Sequence, residues 1–193
     1  MKSPPGAWLL GLGLGAATLF VLWTAPETPS PVGRGSEAPA FELPSLDGGS
    51  ASLADAAGQV LLVNFWATWC KPCEDEMPAM EKLYRDLADE GFLLVAISVD
   101  DDPELVRAFR ERLQLSFPIL LDPDATVAKR YQTYRYPESF LIGPGGDVVE
   151  RYVGPKRWDE GAYVQRIRKL LAGGREARSG LPARGVGAGR GLG

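Results

Sequence analysis

Cys70 and Cys73 are the only cysteines in this chain of 193 residues, and the chain contains no histidine. Their spacing and setting constrain the fold more than any other feature. The apolar run Val60–Trp66 (VLLVNFW) precedes them. A pattern with Met77, Met80, Tyr84 and Leu87 at three- and four-residue steps follows. That order predicts a buried strand feeding an amphipathic helix over residues 71–88. The pair then sits where the helix opens, and one turn brings two sulfurs at this spacing within bonding reach. A helix N-terminus offers free N–H groups and partial positive charge, which stabilise a thiolate. Lys71 adds a cation. Pro72 is tolerated because its missing N–H has no intrahelical partner in the first turn. Cys70 is the expected nucleophile and Cys73 the expected resolving thiol.

Without histidine there is no Ser-His or Cys-His nucleophile and no imidazole metal ligand. Glu74 follows Cys73, so the covalent haem motif is absent too. A purely structural disulfide closing so small a loop would constrain the unfolded chain little. Structural zinc needs four ligands, and no metal site is expected. Two thiolates can hold Cu(I), so copper carriage stays as an alternative using the same pair. A scaffolding role is the third reading. The net charge of −4 gives no electrostatic case for nucleic-acid binding. Residues 1–35 carry +1 and residues 173–193 carry +3, which leaves −8 for the part between them.

Residues 7–25 (AWLLGLGLGAATLFVLWTA) hold no charge. As a helix they would span roughly 28 Å, near the thickness of a bilayer's hydrocarbon layer. Trp8 and Trp23 lie near the two ends, and Lys2 with the free amine places positive charge on the cytoplasmic side. Residues 1–25 are thus expected to be a membrane anchor, with the remainder facing the periplasm or extracytoplasmic side. A cleaved signal segment is the alternative, although cutting after Ala25 would put Trp23 at a small-residue position. Residues 26–37 read as a Pro-rich linker. Residues 173–193 hold eight Gly and read as a disordered Gly/Arg-rich tail.

Between them, residues 38–172 alternate strand and helix patterns. Phe41–Leu43 and Ala51–Leu53 flank Asp47-Gly48-Gly49 as a hairpin. A second buried strand covers Phe92–Val99. A helix capped by Asp101 or Asp102 with Pro103 in its first turn runs to about Leu113. A short strand at Pro118–Leu121, a helix at Ala125–Tyr131, a hairpin of Ser139–Ile142 with Val148–Val153 and a helix at Trp158–Leu171 follow. The order implies an α/β fold with helices flanking a mixed central sheet.

Residues 60–80, VLLVNFWATWCKPCEDEMPAM, resemble the active-site segment of thioredoxin-like proteins. With YPESFLIGPGGDVVERYVG further on, they are most similar to the TlpA/ResA-like thiol-disulfide oxidoreductases, related to CcmG/DsbE. The extra helix and strand between Asp100 and Asp122 fit that branch. The resemblance covers about residues 38–172. Peroxiredoxins share the scaffold but carry Pro seven and Thr three residues before the Cys, where this chain has Val63 and Ala67.

The resemblance implies a thioredoxin-like fold with an N-terminal β-hairpin and an inserted helix-strand element. It also implies roles for single residues. Pro137 matches the family's cis-proline, making Tyr136 a substrate-contacting residue. Trp69 and Trp66 are expected to pack around the pair and shield it, and Trp69 and Pro137 are expected to bind substrate together with Tyr136. Glu76 matches an acidic residue thought to assist proton transfer, while Asn64 stands where cytosolic thioredoxins have a buried Asp. The implied partners are an exported thiol/disulfide protein, such as apocytochrome c, and a membrane thiol-disulfide electron carrier. No organic cofactor is expected beyond the Cys70–Cys73 disulfide. The direction is expected to be reductive, with a disulfide-forming oxidant as the alternative.

Overall fold

The computed structural model describes residues 31–179. The expected anchor, the start of the linker and residues 180–193 lie outside them. Among the described residues no helix is long and apolar enough to cross a membrane.

Strands β1 (Glu42–Pro44) and β2 (Ser50–Ser52) pair antiparallel across the Gly48-Gly49 turn, where both glycines adopt positive φ. Then come β3 (Val60–Trp66), α1 (Lys71–Leu87), β4 (Phe92–Ser98), α2 (Pro103–Leu113) and β5 (Ile119–Leu121). They are followed by α3 (Thr126–Arg130), β6 (Glu138–Ile142), β7 (Val148–Val153) and α4 (Gly161–Ser179). The main sheet has the order β5-β4-β3-β6-β7. Strand β3 runs parallel to β4 and antiparallel to β6, so the sheet is mixed, as in the thioredoxin-like fold.

Every residue of β3 is buried because both of its faces are covered. Successive side chains alternate between those faces. Val60, Leu62 and Trp66 pack in one core with Met77, Met80, Leu83 and Leu87 of α1 and Ile167 and Leu171 of α4. Leu61, Val63 and Phe65 pack in the other with Leu43, Val127, Ala128 and Tyr131. Asn64 falls on the face shared by Leu62 and Trp66, so its amide points under α1. This alternation sets the site's polar network.

Helix α1 turns out to bury Leu83 fully, while Tyr84 is half-buried and meets Phe117 edge-on at 6.1 Å. Asp102 caps α2, its carboxylate accepting the Glu104 N–H at 2.9 Å.

Two boundaries differ from expectation. Residues 31–37, assigned to a free linker, dock on the domain. Val32 is buried, the Gly35 N–H donates to the Val148 carbonyl at 2.8 Å, and the Val148 N–H donates to the Ser36 carbonyl at 2.8 Å. Proline richness marks a linker only where no strand edge takes up its backbone groups. At the other end α4 continues past 172 to Ser179. Glycine-rich composition reads as disorder, yet Gly174 lies so close to Pro144 that a Cβ there would meet its Cγ at 2.8 Å. Arg175 then reaches the Glu90 carbonyl at 3.2 Å.

Candidate active site

The turn between β3 and α1 presents the cysteines. Asp100, at the end of β4, fixes it: its carboxylate accepts the Thr68 N–H at 2.9 Å, the Thr68 hydroxyl at 2.6 Å and the Ser98 hydroxyl at 2.7 Å. Cys70 and Cys73 form a disulfide with Cα atoms 5.3 Å apart. Cys70 is also the N-cap of α1, its Sγ accepting the Cys73 N–H at 3.2 Å. Charge left on that sulfur after reduction would therefore lie at the positive end of the helix. Cys73 is fully buried and Cys70 is 6 % exposed, so the outer sulfur is the one a partner reaches. Pro72 lies in the first turn. Lys71 points away into solvent and pairs with Asp75, a bond that raises the lysine's pKa.

One turn beyond Cys73, Glu76 is buried. Its Oε1 accepts the Asn64 Nδ2–H at 2.9 Å. Its Oε2 accepts the Lys156 backbone N–H at 2.9 Å and the Trp158 Nε1–H at 3.2 Å. Asn64 also donates to the Ser139 hydroxyl at 2.9 Å, while its own Oδ1 is buried with no hydrogen-bond partner. Burial lifts the Glu76 carboxyl from 4.5 to about 7, against the opposing pull of these donors. Glu76 also borders a depression of about 220 Å³ with Asp75, Pro155, Lys156 and Arg157.

The Tyr136–Pro137 peptide is cis. Tyr136 is half-buried and stands edge-on to Trp69, with ring centroids 6.0 Å apart. Burial raises the Tyr136 pKa, with Asp122 and Glu138 adding to the effect. Trp66 is buried and packs on Phe109, with ring centroids 4.7 Å apart. Trp69, expected to shield the pair, is instead 70 % exposed. It follows the end of β3 in a turn that the sheet does not cover.

The model of the AhpC/TSA family matches residues 34–151. The chain belongs to the AhpC/TSA family. Within that family its likeness is to the thiol-disulfide exchangers. Thioredoxin-like protein YneN of Bacillus subtilis is 39% identical over 154 residues, covering 76% of this chain and 89% of that protein. Thiol-disulfide oxidoreductase ResA of Bacillus cereus is 37% identical over 134 residues, covering 69% and 78%. A crystal structure titled as thiol:disulfide interchange protein DsbE from Chlorobium tepidum superposes with a TM-score of 0.68 at 31% identity, covering 72% and 99%. The chain is accordingly a thioredoxin-like thiol-disulfide oxidoreductase of the ResA/DsbE type. As an AhpC/TSA member it lacks the peroxidatic Pro and Thr, since Val63 and Ala67 stand in their places and are buried apolar residues.

Several residues that complete this AhpC/TSA site carry no sequence signal. Lys156 and Trp158 reach Glu76 from a turn 80 and 82 residues away. Ser139 reaches Asn64 across the β3–β6 register. Asp100 reads as one of three consecutive aspartates, and only the end of β4 singles it out as the buried one.

Proposed function

We propose that the chain is a dedicated disulfide reductant for exported proteins, held on the outer side of the cytoplasmic membrane by residues 7–25. One observation carries the reading: the disulfide heads α1 with a carboxyl of pKa about 7 one turn behind it. The Cys70 thiolate attacks one sulfur of a client disulfide, and the other client sulfur leaves as a thiolate. The Cys73 thiolate then attacks Cys70 Sγ and expels the second client sulfur. The client gains two electrons and, after protonation, two thiols. The protein is left as the Cys70–Cys73 disulfide. Glu76 supplies or takes the Cys73 proton near neutral pH. A membrane thiol-disulfide carrier returns the electrons. The client class is an apocytochrome c, whose haem-binding cysteines must be reduced. Resemblance to the ResA/DsbE type supports both partners.

Two measurements test this reading. The reduction potential, read by thiol trapping in dithiothreitol buffers, is expected near or below about −270 mV. A value near about −120 mV would make the protein a disulfide-forming oxidant. In cells, the full chain is expected to stay with membranes after alkaline carbonate washing. Recovery as a shorter soluble form would show a cleaved signal instead.

A further inference from the structure

We propose that Arg151 is a positioning residue for client binding, coupling the docking of residues 31–36 to the segment 134–137. The inference rests on the reading that the client meets Tyr136.

Arg151 lies on β7 opposite Phe140 of β6. Its guanidinium distributes its donors among three parts of the chain. Nε donates to Glu138 Oε1 at 2.6 Å, Nη1 to the Val32 carbonyl at 2.9 Å, and Nη2 to the Gln132 carbonyl at 2.7 Å. Its Cζ stands 5.3 Å from the Tyr134 ring and 5.2 Å from the Phe140 ring. Glu138 is fully buried and uses its second oxygen to accept the Tyr134 N–H at 3.2 Å. The Val32 N–H closes the circuit by donating to Gln132 Oε1 at 3.1 Å.

The Val32 N–H is thus spent on the loop that leads into Tyr136 and Pro137, and its carbonyl on Arg151, which holds the same loop through the Gln132 carbonyl. Gln132 itself sits at φ 54, an uncommon conformation for a side-chain-bearing residue, which bonds to both its carbonyl and its side chain help to hold. A planar fork is suited to three fixed acceptors in a way a lysine ammonium is not. If client binding orders the loop, the same bonds must order residues 31–36, and the effect is reciprocal.

The test uses the full chain carrying Cys73→Ser, trapped at Cys70 with a synthetic peptide whose single cysteine is activated as the thionitrobenzoate disulfide, so that the Cys70 thiolate displaces thionitrobenzoate. Backbone hydrogen exchange is followed before and after trapping. Exchange is expected to slow in both 31–36 and 132–138. With Arg151→Lys added, it slows only in 132–138. In turnover assays with both cysteines present, Arg151→Lys raises KM for a peptide disulfide about fivefold with kcat unchanged. If Arg151→Lys does not fold, the double variant Arg151→Met, Glu138→Gln removes the guanidinium without leaving Glu138 as an unpaired buried charge, and is expected to uncouple the segments likewise. Slowing confined to 132–138 with Arg151 present overturns the coupling alone. Slowing in neither segment overturns the reading of Tyr136 as well. Slowing in both with Arg151→Lys overturns the assignment to Arg151.

Discussion

Cys70→Ser is expected to lose disulfide reductase activity by roughly a thousandfold or more while keeping the fold. A serine hydroxyl is hardly ionised at neutral pH, and an imidazole could activate it only if the chain had one. It has no histidine. The helix N-terminus that stabilises a thiolate cannot lower an alcohol's pKa far enough to replace it. Cys73→Ser is expected to differ in kind. It should attack a client once and stop as a mixed disulfide, because the buried resolving sulfur is gone. Neither change should unfold the domain, since so short a loop contributes at most about 2 kcal/mol through the unfolded chain. The check is an insulin-reduction assay beside mass spectrometry of the trapped species. Turnover retained by Cys70→Ser, or trapping by Cys70→Ser rather than Cys73→Ser, would reverse the assigned roles.

How far this site was legible depends on how local each cause is. Strand β3 matches its predicted bounds because burial on both faces needs an unbroken apolar run, visible in seven residues. The starts of α1 and α2 are legible because caps are local: Cys70 and Asp102 each accept an N–H from a residue two or three positions on. The exchange chemistry follows from the same locality, since three residues of helix fix the sulfur pair. The environment of Glu76 is not local. Its three donors come from β3 and from a turn beyond β7, and nothing near residue 76 announces them. Residue 76 is an acid among acids in the sequence, between Asp75 and the helix's apolar face. The docking of residues 31–37 and the length of α4 were hidden for a similar reason. Proline and glycine content report the unfolded chain's freedom, whereas Val148 and Pro144 supply the contacts that overcome it.

Glu76→Gln is expected to stabilise the protein above neutral pH while impairing its chemistry. The folded state raises the Glu76 carboxyl from 4.5 to about 7, chiefly by burial. A group held more firmly protonated in the folded state contributes stability that is present in full below pH 4.5. That contribution fades as pH rises and is gone once pH passes about 7. The difference amounts to about 3 kcal/mol. For a domain of this size that corresponds to a fall in Tm of roughly 6–12 °C across the window. Glutamine is neutral throughout, so the difference in Tm between the variant and the parent should be small near pH 5 and largest near pH 8. The network can accept it. The glutamine Oε1 can take the Lys156 and Trp158 N–H groups, and a turned Asn64 amide can offer its partnerless Oδ1 to the new NH₂ group. The same substitution removes the titrating proton one turn from Cys73, so an inflection near pH 7 is expected in the kcat of the parent and not in that of the variant. Parallel Tm curves for the two proteins would show that Glu76 does not titrate in this window. If instead the variant is the more stable and the slower enzyme above pH 7, the buried carboxyl is a cost to the fold that the reaction alone explains.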